Sequence, residues 1–96
     1  MKYKVKYLPR ADRDLIEINE VLAEYPRKAV RLFQEIDRKV RGLEDMPRMW
    51  PVYQPRPRYR RMVLEDYLLF YIVDEPKHEV YVYRIIYYRM DIPRQL

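Results

Sequence analysis

RYRRMVLEDYLLFYIVDEPKHEVYVYRIIYYRMD, residues 58–91, holds three apolar runs, YRRMVLE, DYLLFYIVD and EVYVYRIIYYR, parted by acidic residues. Each run is rich in tyrosine and branched side chains, which suit the pleated, half-buried surface of a strand. Acidic turn signals, above all DEPKHE, mark the reversals. The stretch predicts an antiparallel meander of three strands.

Immediately upstream, DMPRMWPVYQPRPR (residues 45–58) contains four of the chain's eight prolines, which excludes a long helix or a central strand and predicts an extended connector. Further back, Ala29, Phe33, Ile36, Val40 and Leu43 recur at helical spacing, and Pro26 sits where a first turn tolerates a missing N–H. Gly42, the only glycine, falls where a left-handed C-cap would use it, or Leu43 continues the stripe. Before Pro26, ADRDLIEINEVLAEY repeats Ala11, Leu15, Ile18 and Leu22 on one helical face, with Asp12 and Asp14 near the positive end of the helix dipole. Lys2, Lys4 and Lys6 alternate with Tyr3, Val5 and Tyr7, and Pro9 ends that strand. The expectation is one α+β domain spanning residues 1–96. It would be a small antiparallel four-stranded sheet with two N-terminal helices packed on one face, in the order β-α-α-β-β-β.

The 96 residues suffice for one core, and 49% hydrophobic with 36% charged residues fits a globular chain better than a disordered one. Eleven tyrosines point to broad aromatic faces that each keep a polar edge. Between Met46 and Leu64 stand Arg48, Arg56, Arg58, Arg60 and Arg61 with no acid, so that segment accounts for the whole net charge of +5. An anionic partner is the natural counterpart.

Flanked by Pro55 and Pro57, Arg56, Arg58 and Arg60 would project from an extended segment at about 6–7 Å intervals, close to the phosphate spacing of an extended strand of nucleic acid. Polyproline geometry would instead fan them around the axis. Two other readings stand beside a nucleic-acid one. The arginines could keep an edge strand soluble by pairing with Glu65, Asp66 and the helix acids, or they could hold an acidic peptide with Trp50 and tyrosines supplying apolar contact.

Several chemistries are excluded. No Cys, Ser or Thr is present, so disulfides, thiolate sites and hydroxyl or thiol nucleophiles of those residues are absent. The one histidine, His78, falls in a turn, and a single glycine cannot build a phosphate-cradling loop. No metal or other cofactor is expected. A nuclease made from these residues would use Arg to hold phosphate charge, the substrate's 2′-hydroxyl as nucleophile and Tyr for proton transfer. The N-terminal MKYKVKYLPR lacks the apolar run of a signal peptide, and no stretch approaches the roughly 18 apolar residues of a membrane span, so a cytoplasmic location without membrane contact is expected.

The 58–91 stretch resembles the RelE/ParE superfamily of bacterial type II toxin-antitoxin toxins, with its basic strand start, its YLLFY strand closing on VD and its basic ending. AxxDLxEI at Ala11–Ile18 and LEDMPRMWP at 43–51 extend the likeness to nearly the whole chain. The resemblance implies a cognate antitoxin, a toxin-antitoxin hetero-oligomer and one of two targets: mRNA on the ribosome, which RelE-like members cut, or DNA gyrase, which ParE-like members block without cutting. It also implies site residues. Arg60 matches a basic residue of the second sheet strand and Arg89 the arginine near the end of the last strand. Tyr87 and Tyr88 stand where a His-Gly pair is frequent and are the candidates for proton transfer. Leu68 and Met62 replace basic residues of many RelE-like enzymes, and residues up to Leu96 include no counterpart of the C-terminal tyrosine that some of them use. With Arg56, Arg58 and Arg61 as target-binding groups, the unopposed basic segment ranks message cleavage narrowly ahead of gyrase inhibition. An inactive antitoxin-binding relative is the third reading.

Overall fold

The lysines of β1 (Lys4–Tyr7) face solvent while Val5 and Tyr7 are half-buried, so the strand keeps the two-residue period of its sequence. The computed structural model describes residues 2–96. After β1 come α1 (Pro9–Val21), α2 (Pro26–Gly42), β2 (Arg60–Val63), β3 (Tyr67–Asp74), β4 (Glu79–Tyr87) and one further turn of helix, α3 (Ile92–Gln95). The sequence pattern did not foretell α3. Among the described residues no helix is long and apolar enough to cross a membrane.

The strands lie in the order β1-β4-β3-β2. Both hairpins of the 58–91 stretch are antiparallel as expected, but β1 runs parallel to β4, with Lys4 opposite Glu79 and Tyr7 opposite Val82. The sheet is therefore mixed rather than wholly antiparallel. Three meandering strands leave β4 pointing the same way as β2, and the helical hairpin returns the chain so that β1 shares that direction.

Both helices begin with proline in the first turn, where its missing N–H leaves no bond unmade. Their apolar faces, including Ile18, Leu22, Ile36 and Val40, pack with Leu69, Tyr71, Val80 and Val82 in the main core. At about 1.5–3 kcal/mol per large buried side chain, this layer outweighs any helix propensity. Gly42 has no positive φ and Leu43 is right-handed, so no left-handed cap forms; the fully buried Leu43 extends the stripe instead.

A second, smaller cluster covers the other face of the sheet, where Tyr59, Phe70, Ile86 and Ile92 are buried. The proline-rich connector that supplies Tyr59 is not extended. Tyr53 N–H donates to Tyr59 O (2.8 Å), Arg56 N–H to Tyr53 O (3.0 Å) and Tyr59 N–H to Arg56 O (3.0 Å), which closes residues 53–59 into two consecutive turns. Pro57 holds the second position of the latter turn, where its fixed φ fits. Backbone groups that an extended path would leave to water are satisfied internally.

One irregularity in β4 shapes both faces. Phe70 pairs with Arg84 and Tyr71 with Val82, so Tyr83 is an extra residue, a β-bulge. Beyond Tyr7 the edge of β4 is open, and there Asp14 takes the place of a neighbouring strand: its Oδ2 accepts the Ile85 N–H (2.9 Å). The same carboxylate accepts Arg84 Nε (2.8 Å) and Nη2 (3.2 Å), and Arg84 Nη1 donates to Gln95 O (2.6 Å). Asp14 is 3% and Arg84 8% exposed. A bidentate, charge-assisted pair thus joins α1, the bulged strand and the C-terminal turn.

A smaller clasp sits at the β3–β4 turn. Glu75 accepts hydrogen bonds from Tyr3 O–H and Arg48 Nη1, and the Tyr3 ring lies 5.1 Å from that of His78, which holds a φ of 53°. The Tyr3 hydroxyl, aided by Arg48, holds the Glu75 carboxyl below its ordinary 4.5, and Lys6 with Tyr81 does the same for Glu79.

Replacing Asp14 with Ala strands a buried guanidinium, so urea unfolding should register a loss of about 3–5 kcal/mol. The double variant Asp14→Leu/Arg84→Met should recover much of that loss, whereas a single-variant loss below about 1 kcal/mol would contradict the pairing. Because Glu75 and Glu79 titrate below their unfolded values, their stabilisation is present above pH 4.5 and fades as pH falls through the lower folded values. Thermal midpoints should therefore drop on acidification below pH 4.5, and less steeply in Glu75→Gln; identical slopes would contradict the clasp.

Candidate functional site

The seven residues singled out by the sequence fall into three places. Arg60 opens β2 opposite Tyr71 and so shares the helix-covered face. Its Nη1 donates to the carbonyls of Trp50 (2.8 Å) and Arg48 (3.4 Å), while Tyr71 O–H donates to Pro47 O (2.7 Å). Burial pushes the Tyr71 phenol up to about 12. Together the two side chains pin residues 47–50 to the sheet.

Arg61 stands opposite Phe70 and therefore on the other face, with its Nε buried and, among the described residues, without a partner. Arg56 and Arg58 lie on that side too. Arg56 Nη2 donates to Pro93 O (3.1 Å), and the Arg58 guanidinium lies 5.8 Å from the Tyr59 ring centre. Tyr59 in turn stacks on Tyr83, 5.0 Å away and inclined by 29°. Burial, then its contact with Tyr83, raises the Tyr59 phenol.

The third place is the far end of β4. Tyr87 packs edge-on to Tyr67 (5.7 Å) and beside Tyr88 (5.2 Å), and Arg89 Nε donates to Tyr88 O–H at 2.8 Å. A cavity of about 660 Å³ opens there between Val21, Tyr25, Lys28, Tyr67 and Tyr87. Tyr87 pairs with Tyr67, four residues along β3 from the partner of Arg60. With about 3.3 Å per residue and about 4.8 Å per strand, Arg60 and Tyr87 are about 16 Å apart along the sheet. The fold brings Tyr87, Tyr88 and Arg89 together, sets Arg56, Arg58 and Arg61 on the second face, and keeps Arg60 on the helix-covered face with its guanidinium turned to carbonyls.

Of the five arginines between Met46 and Leu64, Arg48 alone meets a carboxylate among the described residues, through Glu75. The acids that could have neutralised the others are engaged elsewhere: Asp66 with Lys28 at 3.2 Å and Glu65 with Arg31 at 3.7 Å. The basic character of the second face is therefore preserved in three dimensions, although its arginines do not form a straight comb.

Two groups of consequence escaped the sequence reading. Asp14 and Arg84 lie 70 positions apart, and the only trace of their pairing was an arginine inside an otherwise apolar run. Tyr81 and Tyr83 alternate with Val80 and Val82, which placed them opposite the core without saying that the chain returns to build a hollow over them.

The model of the ParE toxin of the type II toxin-antitoxin system, parDE, matches residues 5–92. No curated protein matches at a significant level. Among solved structures, a chain of the chromosomal ParDE toxin-antitoxin system from P. aeruginosa superposes with a TM-score of 0.73 at 22% identity, covering 90% of this chain and 96% of that one. A chain of the toxin-antitoxin complex RelBE2 from Mycobacterium tuberculosis gives a TM-score of 0.61 at 20% identity, covering 91% and 99%. The structural likenesses establish the shared fold, and the family match runs from β1 to the first residue of α3: the chain belongs to the ParE toxins of type II toxin-antitoxin systems.

Proposed function

We propose that this toxin arrests growth by occupying DNA gyrase rather than by cutting RNA, and that a cognate antitoxin silences it by binding the same chain. The observation that carries this reading is the separation of Arg60 from Tyr87, Tyr88 and Arg89. A general acid or base must come within about 3 Å of the proton it moves, and a phosphate ligand must grip the same reacting group. Residues whose backbone positions lie about 16 Å apart on the sheet, one of them with its guanidinium already bonded to two carbonyls, are poorly placed to meet on one phosphodiester.

Blocking a protein target needs no such convergence. It needs exposed aromatic, apolar and cationic anchors, and Tyr87, Tyr88, Met90 and Arg89 supply them at one end of the molecule. Arg56, Arg58 and Arg61 offer a second, basic contact on the opposite face. The notion of message cleavage keeps one supporting observation, the Tyr88–Arg89 couple, where a phenol and a guanidinium adjoin.

Induction of the toxin followed by mapping of message 5′ ends and of plasmid topology separates the two. Gyrase occupancy predicts intact messages, altered supercoiling and a DNA-damage response, with Tyr88→Phe still toxic and Arg89→Ala at least tenfold less so. Codon-positioned cuts that vanish in Tyr88→Phe would overturn the proposal in favour of cleavage.

A further inference from the structure

The second face of the sheet carries a hollow whose aromatic lining, Tyr81 and Tyr83, neither toxin reading uses. Tyr81 and Tyr83 are two residues apart in β4, and Ile72 is the cross-strand neighbour of Tyr81. The bulge adds Tyr83 to this face next to Arg84, and the 53–59 turns bring Arg58 over the hollow from the connector. The cavity lined by Arg58, Ile72, Asp74, Glu75, Tyr81 and Tyr83, among others, measures about 580 Å³, within the range of small-ligand sites. Arg58 is shared with a neighbouring shallow basin lined by Pro55, Arg56, Pro57 and Tyr59. An aromatic-apolar compartment thus adjoins a cationic one, with Arg58 at the junction.

Two carboxylates, Asp74 and Glu75, line the aromatic compartment and suit the N–H groups of a base, so the phosphate belongs in the neighbouring basin with Arg58 and Arg56. Glu75 is held by Arg48 and Tyr3, Glu79 by Lys6 and Tyr81, and Asp74 Oδ1 accepts the Lys77 N–H. Arg58 and Arg56 have no carboxylate partner among the described residues. One face of the Tyr83 ring is covered by Tyr59, which stiffens it as a stacking surface.

A planar apolar group bearing a phosphate about one ribose away satisfies both compartments at once. We infer that this hollow binds a nucleotide, its base lodged against Tyr81, Tyr83 and Ile72 and its phosphate held by Arg58 and Arg56. Guanidinium-phosphate bonding and base-aromatic stacking are the two interactions such a site needs. The inference goes beyond the gyrase reading and does not depend on it, since the ligand is either a free nucleotide or an unpaired nucleotide of a strand.

Direct binding to the purified chain tests it, with AMP, ATP and an eight-residue oligodeoxyadenylate as probes and polyglutamate as the control anion. Binding of AMP and ATP indicates a free nucleotide, and binding of the oligomer alone indicates a strand; either supports the site. Arg58→Ala should weaken binding about tenfold and lower its salt dependence by roughly one phosphate contact, with Arg58→Lys recovering part. Tyr81→Leu should weaken it by a similar factor with unchanged salt dependence. No binding of any nucleotide probe at millimolar concentration, equal binding of polyglutamate, or indifference to both Arg58→Ala and Tyr81→Leu would overturn the inference. Arg58 is exposed and, among the described residues, makes no hydrogen bond or ion pair, so its substitution should leave the fold intact.

Discussion

The Asp14–Arg84 ion pair is the constraint around which the rest of the structure is arranged. It sits where β1 has ended and β4 continues, at a sheet edge that would otherwise present an unpaired N–H to the start of the helical layer. By accepting from Ile85 N–H and from two nitrogens of Arg84, one carboxylate closes that edge and fixes α1 in angle and register. Arg84 passes the connection on to Gln95, so the turn that carries Ile92 over the second face is fixed from the same point. Two buried charges would be a liability apart; together, and with Arg84 Nη1 engaged by Gln95, they define one arrangement of three segments.

From that anchor the two faces diverge. The helix-covered face is closed by aliphatic packing and by Arg60 and Tyr71, which draw residues 47–50 onto the sheet. The opposite face is only partly covered, by Tyr59, Ile92 and the turns of the connector. The bulge at Tyr83 divides them, because one added residue lets β4 present Val80, Val82 and Ile85 to the main core while Tyr83 and Ile86 serve the other side. Basic side chains without acidic partners collect where coverage is thinnest, which is where a partner can reach them.

Much of this was legible in the residue pattern. The strand periods, the apolar stripes of both helices and Pro26 at the start of the second helix each follow from local chemistry, and each specifies the element in which it lies. The parallel placement of β1 was not legible, since pairing direction depends on how the hairpin of helices returns the chain. The extended path anticipated for Pro55–Arg58 gave way to turns because Tyr53 and Tyr59 bond to each other, a relation no proline spacing reveals. For the site, the absence of nearby acids rightly marked the segment as basic. Alternation along β2 then sent Arg60 and Arg61 to opposite faces, so residues adjacent in sequence cannot act as one cluster.

The proposed function rests on that division: anchors suited to gripping a partner occur in two places, and Arg60 lies apart from the Tyr88–Arg89 couple. Titrating the purified toxin into reconstituted gyrase supercoiling and into a translating ribosome system tests this most directly. The account predicts that supercoiling is lost at a saturating ratio near one toxin per gyrase site while ribosome-bound messages stay whole. Multiple cuts per toxin molecule in the messages, with supercoiling unaffected, would contradict it.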